Sequence, residues 1–342
     1  MSEAAPIHAD HLGHPICFGV YRAIERIGAG GMGIIFRAQD MRDGRAVAIK
    51  TVRSAREADA LAIRREIVTL SALNHPGIVR MHGYGVQPGG PWIALELLRG
   101  RTLADELSWF WPETRGYGER PERTDERPTA PARKLRDRLG GGARRLFPVA
   151  GGGHLAQAFS IVQHLCLALD HVHRRDLVHR DVKPANVFLR RDGRTTLLDF
   201  GLACAANETR GCALGVGTME YAAPEQICGA VVDRRADIYS LGCLLYEMVT
   251  GRPPFRGDSS GEIAERQLKR DAAVPSQVIA DVPSRLDDLI MSMLEKLPSR
   301  RPDDVADVAR RLGAIARRAQ PAADIAPIGG NPFEEVRWRH AG

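Results

Sequence analysis

Gly28-Ala29-Gly30-Gly31-Met32-Gly33 fits the spacing G-x-G-x-x-G, and Val47-Ala48-Ile49-Lys50 ends an apolar run on a lysine soon after it. Closely spaced glycines let bare backbone approach an anion, and a nearby ammonium adds a compact positive charge; together they suit a polyphosphate. Alone, the glycine spacing is shared with dinucleotide-binding turns and ordinary hairpins. A dinucleotide turn needs a helix directly after the glycines, so that its N-terminus faces the pyrophosphate. Here Ile34-Ile35-Phe36-Arg37 follows and reads as a strand, which favours a hairpin folded over phosphates. A strand-end lysine reaching for water is the plainer alternative for Lys50. The chain argues against it, because it carries 43 Arg and only 5 Lys (Lys50, Lys134, Lys183, Lys269 and Lys296). Where Arg stands almost everywhere, a retained Lys marks a position that needs a small ammonium rather than a planar fork. Glu66 is the carboxylate expected to pair with Lys50, although a solvated helix glutamate fits the sequence equally well.

The elements that must position these residues divide in two. Tyr21–Ile27, Ile34–Gln39 and Arg45–Thr51 read as antiparallel strands separated by turns, followed by a helix over Arg64–Leu73 and strands over Val79–Val86 and Trp92–Leu98. Within that helix Ile63, Ile67 and Leu70 form one apolar stripe. Beyond residue 153 the chain is mostly helical, over Leu155–Arg174, Asp237–Thr250, Ser284–Leu297 and Asp303–Arg318. A sheet-rich front and a helical back predict a two-lobed α+β fold. Between them, residues 111–145 hold ten cations and six anions, so +4 of the formal +6 sits there. The stretch has little apolar content and much Pro and Gly, so it reads, with the Gly-rich run to 153, as a disordered basic insertion. A solvated spacer is the plain reading; attraction to an acidic partner, nucleic acid or an anionic membrane surface is the alternative. Residues 1–17 and 319–342 read as terminal segments. The six cysteines show no metal-ligand spacing, and no stretch approaches the roughly 18 apolar residues of a membrane span. A reduced, cytoplasmic location without a transmembrane segment is expected.

Residues 179–201 bring in a denser cluster. His179-Arg180-Asp181-Val182-Lys183-Pro184-Ala185-Asn186, then Asp199-Phe200-Gly201, resembles the catalytic and metal-binding loops of protein kinases. With GAGGMG, VAIK, Ala223-Pro224-Glu225 and DIYSLGCLLYEM from Asp237, the resemblance runs over residues 18–316, the insertion excepted. Lys183 and the segment GTMEYAAPE are similar to the serine/threonine branch, in its bacterial (Hanks-type) form. The resemblance implies a β-rich N-lobe and hinge over 18–98, a helical C-lobe over 99–318, and transfer of the ATP γ-phosphate to protein Ser/Thr hydroxyls. Asp181 would accept or orient the substrate hydroxyl, and Lys183 would sit on the transferring phosphoryl group. Asn186 and Asp199 offer hard oxygens for Mg²⁺, or Mn²⁺ in its place.

Further roles follow from the same resemblance. Gly28, Gly30 and Gly33 would cover the phosphates with Lys50 beneath them. Ile35 and Ala48 would roof the purine, Phe188 would floor it, and Leu95 would stand at its back. Glu96 to Leu98 would form the adenine-binding hinge. Leu70, Met81, His179 and Phe200 would stack as a packing column, Asp237 would anchor the catalytic loop, and Glu225 would pair with Arg301. Thr218 would contact Asp181 and Lys183. Arg180 would receive a phosphate on Thr209, the only hydroxyl residue between Gly201 and Gly217, added in trans by a transient homodimer. Constitutive order without phosphate is the simpler alternative. Protein substrates are the expected partners and nucleic acid is not, since aromatic residues do not interleave the basic stretch. A non-catalytic scaffold of the same fold would lack one of Lys50, Asp181, Asn186 or Asp199, and all four are present. A small-molecule kinase would not be expected to carry Lys183 with GTMEYAAPE.

Overall fold

A computed structural model describes residues 16–30, 33–52, 57–110, 153–207 and 219–319. Apolar residues in the first three of these segments build one antiparallel sheet. Its strands are β1 (Cys17–Phe18), β2 (Tyr21–Gly30), β3 (Gly33–Asp40), β4 (Ala46–Thr51), β5 (Met81–Gln87) and β6 (Gly90–Glu96), in the order β1-β2-β3-β4-β6-β5. Phe18, Tyr21, Phe36, Val47, Ile49 and Trp92 fill the core on one face, with Trp92 edge-on to both Phe18 and Tyr21. Helix α1 (Glu57–Ser71) packs against β5 and β6 through Ile63 and Leu70.

The chain then crosses to the second lobe through β7 (Gly100–Thr102) and α2 (Leu103–Phe110). Helix α3 (Gly153–His173) runs through that lobe, followed by β8 (Leu177–Val178), β9 (Val187–Arg190), β10 (Thr195–Leu197) and β11 (Cys204–Ala205). Strands β10, β9 and β7 form a small sheet, and β11 pairs with β8. A short turn over Met219–Tyr221 leads into α4 (Pro224–Ile227) and α5 (Arg235–Thr250). The remainder is α6 (Ser260–Lys269), α7 (Pro275–Val278), α8 (Ser284–Met293) and α9 (Val305–Ala319). Helix α5 is buried nearly all round, as expected for a helix apolar on every face. Gly242 lets it lie against α8, since a Cβ there would meet the Met293 Cβ at 2.8 Å. The two lobes are joined by backbone as well as by side chains: Val79 N–H donates to Leu197 C=O and Leu197 N–H to Gly77 C=O.

The architecture is the two-lobed α+β fold expected, with differences at element ends. Helix α1 begins at Glu57 rather than near Arg64, because its first turns are Ala-rich and carry Glu57 and Asp59 where the helix dipole favours anions. The run expected to stay helical to Leu297 stops at Met293. Arg301 takes the carbonyls of Glu295 and Lys296, and Pro298 cannot extend a helix. Strand β6 stops at Glu96, so Leu98 lies in extended chain between β6 and β7. Helix α3 starts at Gly153, the last residue assigned to the insertion, Cys17 of the N-terminal segment opens β1, and Ala319 of the C-terminal segment closes α9; residues 1–15, 111–152, Thr209, Thr218 and 320–342 lie outside the described residues. Among the described residues, no helix is long and apolar enough to cross a membrane.

Candidate active site

The glycine-rich turn joins β2 to β3 as an antiparallel pair in which Gly28 faces Ile35 and Gly30 faces Gly33. Gly33 has a steric reason to lack a side chain: a Cβ there would lie 2.2 Å from the Thr51 carbonyl oxygen on β4. Within the sheet Ile35 pairs with Lys50, and Ala48 pairs with Leu95, so the residues expected around a purine share neighbouring strands with the lysine. Phe188 sits opposite Thr102 in the small sheet of the second lobe. Glu96 is held from that lobe by Arg190, whose guanidinium meets Glu96 Oε1 at 2.8 Å.

Lys50 is the centre of the arrangement. Its Nζ lies 2.7 Å from Glu66 Oε2 and 2.9 Å from Asp199 Oδ1, and Glu66 is only 1% exposed. Burial pulls the Lys50 ammonium down, but the two carboxylates outweigh it and keep the lysine charged. Burial pushes the other way on Asp199, and Lys50 prevails there also, holding that carboxyl below its ordinary range. Glu66 is raised by its burial in spite of Lys50. Of the two sequence readings of Glu66, the buried ion pair is the observed one.

The loop after β8 carries the second cluster. Lys183 Nζ lies 2.9 Å from Asp181 Oδ2, and Asn186 Nδ2 donates to that same oxygen at 2.8 Å and to the Asp181 carbonyl at 2.9 Å. Burial raises the Asp181 carboxyl against the pull of Lys183. Because Asn186 turns its NH₂ to Asp181, its remaining polar atom is a carbonyl oxygen. Asp199 uses Oδ1 for Lys50 and for the Gly201 N–H. A hard-oxygen donor set of one amide and one carboxylate suits a magnesium-type ion.

The loop is supported from beneath. Asp237, fully buried on α5, accepts from the His179 N–H at 2.9 Å, the Arg180 N–H at 2.8 Å and the His173 ring at 2.8 Å. Burial would raise its carboxyl, and the His173 hydrogen bond leads the interactions that hold it below the ordinary range. Arg180 and Asp199 both have left-handed backbone, with φ of 65° and 57°, a conformation that non-glycine residues hold only when neighbours impose it. His179 meets Phe200 edge to face at 4.6 Å, and Leu70 and Met81 join the same core above them. Glu225 and Arg301 form a buried two-pronged pair at 2.6 and 2.8 Å.

The structure adds two residues that sequence reading passed over. Gln226, next to Glu225, donates to the Arg180 carbonyl at 2.9 Å, so it clamps the left-handed residue beside Asp181. Gln267 on α6 donates to the carbonyls of Met219 and Glu220. A glutamine carries no chemical signal by type; only the place of Gln267 one turn after Ile263, on the inward side of an amphipathic helix, could have marked it.

A lysine between two carboxylates thus stands beside a loop that carries an aspartate, a lysine and an asparagine. Residues 21–310 match the protein kinase domain family. The chain belongs to the protein kinase family. It is 34% identical to the serine/threonine-protein kinase PknB of Mycolicibacterium smegmatis over 89% of this chain and 44% of that protein. It is 32% identical to PknB of Mycobacterium tuberculosis over the same shares. A probable serine/threonine-protein kinase of Streptomyces coelicolor is 34% identical over 83% of this chain and 38% of its own length. The chain thus spans less than half the length of these relatives. They place this kinase domain in the bacterial serine/threonine type, a family that uses ATP and a divalent metal.

Proposed function

We propose that this kinase domain transfers the γ-phosphate of ATP to serine and threonine hydroxyls of protein substrates. The observation that carries the reading is the Lys50 ammonium shared between Glu66 and Asp199, which fixes α1, β4 and the metal-binding loop relative to one another. Phosphoryl transfer asks little covalent chemistry of the protein; it asks for positioning and for cancellation of charge on the phosphoryl oxygens. The β2–β3 turn gives bare backbone for the phosphates, with Gly28, Gly30 and Gly33 as its glycines, and Lys50 gives a fixed cation. Ile35, Ala48, Leu95 and Phe188 would enclose the purine, and the Glu96–Leu98 backbone would bind its edge.

Asn186 and Asp199 would hold a magnesium ion, which supplies positive charge at the phosphate oxygens; manganese shares that hard-oxygen chemistry. Asp181 Oδ2 is occupied by Lys183 and Asn186, while Oδ1 is buried with no hydrogen-bond partner among the described residues. That oxygen is the one available to orient the substrate hydroxyl and take its proton as the phosphorus–oxygen bond forms. Lys183, tied to Asp181, would bear on the phosphoryl oxygens, and Thr218 would complete the hydroxyl-selective contact. Control by phosphorylation of Thr209 in a transient homodimer, with Arg180 as receiver, belongs to the same reading, as does a cytoplasmic site of action.

The test is product chemistry. Incubation with γ-labelled ATP, magnesium and a mixed protein substrate should leave acid-stable label on serine and threonine. Label found only on tyrosine, or only on a small molecule, would contradict the proposal. Mass mapping should find phosphate on Thr209 in active protein, and full activity of Thr209→Ala would remove the regulatory part alone.

A further inference from the structure

Gln267 is fully buried on a helix that is otherwise half-exposed. Both ends of its carboxamide are used. Nε2 donates to the Glu220 carbonyl at 2.7 Å and to the Met219 carbonyl at 3.3 Å, while Oε1 accepts from the Tyr239 hydroxyl on α5. Tyr239 is itself fixed. It is buried, it accepts from Lys296 Nζ at 3.3 Å, and Lys296 rests 4.0 Å over the Phe255 ring.

The two carbonyls belong to a one-turn segment, within which the Met219 carbonyl also accepts from the Ala222 N–H at 3.3 Å. From that turn the chain runs directly to Gln226, which holds the Arg180 carbonyl beside Asp181. Residues 219–226 are therefore tied at one end to the catalytic loop and at the other to α6 through Gln267. A polar side chain in this buried position costs desolvation unless all its groups are matched, and here the matches are the backbone of that one segment and the Tyr239 hydroxyl. Core packing alone would be served by an apolar residue at this position.

We infer that Gln267 is a positioning residue for the protein substrate: it fixes the backbone of Met219–Tyr221, the start of the segment that runs to Gln226 and so to the Arg180 carbonyl beside Asp181. The inference rests on the kinase reading above. It concerns the peptide side of the reaction and not the nucleotide side, because Gln267 touches nothing at Lys50, Glu66 or Asp199. Its substitution should separate the two substrates kinetically, which a general loss of folded protein would not do.

The experiment uses the full chain with MgATP, a degenerate threonine peptide library, and then the best-phosphorylated peptide at varied concentration. Gln267→Leu, which removes the side-chain donor to the Met219 and Glu220 carbonyls and the acceptor of the Tyr239 hydroxyl, should raise the peptide KM about tenfold while the ATP KM stays within about twofold. Hydrogen exchange at residues 219–223 should rise in the same variant, with exchange on α1 unchanged. Gln267→Glu supplies a second reading with the same shape. Protonated, it can donate to one carbonyl; ionised, it sets a carboxylate against both. Its peptide KM should therefore climb with pH between about 5.5 and about 8.5 more steeply than that of the wild type, in which Glu247 on the Tyr221 hydroxyl and Lys296 on the Tyr239 hydroxyl are the titratable groups facing the same segment. Equal changes in both KM values, or a peptide KM unmoved in both variants, would overturn the inference while leaving the kinase reading intact. A wild-type protein that phosphorylates neither peptide nor protein would overturn both.

Discussion

Replacing Lys50 by arginine keeps the charge and removes what the site uses. The ammonium reaches two carboxylate oxygens at 2.7 and 2.9 Å from one atom, inside a pocket where a planar guanidinium cannot make both contacts and still face phosphates. Lys50→Arg should lower kcat by about 10²-fold or more, with the thermal midpoint changed by only a few degrees. Steady-state kinetics and a melting scan on the same preparation check it. Lys183 gives a second expectation at this scale. Its charge pulls the Asp181 carboxyl down against burial, so in Lys183→Met that carboxyl should titrate at higher pH. The acidic limb of the kcat profile should move upward with it, beyond the drop in rate. The lysines were legible because the chain uses so few of them, and Lys50 and Lys183 are two of the five. Glu66 was ambiguous, since a helix glutamate looks the same in sequence whether it is solvated or 1% exposed.

The elements are held by buried polar pairs more than by loop sequence. Arg301 donates to Glu225 twice and also to the carbonyls of Arg235, Glu295 and Lys296, so it ties α4, α5 and the turn after α8 together. Arg301→Ala leaves a buried carboxylate and three carbonyls behind and should cost about 3–5 kcal/mol in urea unfolding. Arg301→Lys keeps the charge but loses the fork, so it should fall between wild type and alanine. Strand and helix identity were legible wherever apolar periodicity was strong, as in β3, β4 and α5. Helix ends were less legible, because they depend on distant partners: just past the end of α8, the carbonyls of Glu295 and Lys296 accept from Arg301. Helix α6 gave the weakest apolar signal of the long C-lobe helices, since its inward face is completed by a glutamine instead of a hydrocarbon.

For the molecule as a whole, stability should depend on pH through one buried carboxyl outside the catalytic cluster. Burial pushes Glu247 on α5 up to about 7, while the Tyr221 hydroxyl donates to it at 2.5 Å. A carboxyl raised in the folded state binds its proton more tightly there than in the unfolded chain. Its contribution is complete below the unfolded value near 4.5 and is lost as pH rises through about 7. Chemical denaturation between those limits should show stability falling by about 2–3 kcal/mol from this group, and Glu247→Gln should flatten that part of the curve. The two-lobed arrangement itself was legible from the order of strand-rich and helix-rich segments. What joins the lobes was not, because the Val79–Leu197 backbone contacts and the Arg190–Glu96 pair involve ordinary residues far apart in sequence.

If Asp199 and its neighbours serve phosphoryl transfer to protein hydroxyls, the Asp199 carboxylate is indispensable to it. Incorporation of γ-labelled phosphate from MgATP into a protein substrate, compared between wild type and Asp199→Asn, tests it most directly. Steady incorporation on serine and threonine is expected of the wild type, and a loss of about 10²-fold or more of the variant, with its fold retained by circular dichroism. Label incorporated at the wild-type rate by folded Asp199→Asn would contradict it.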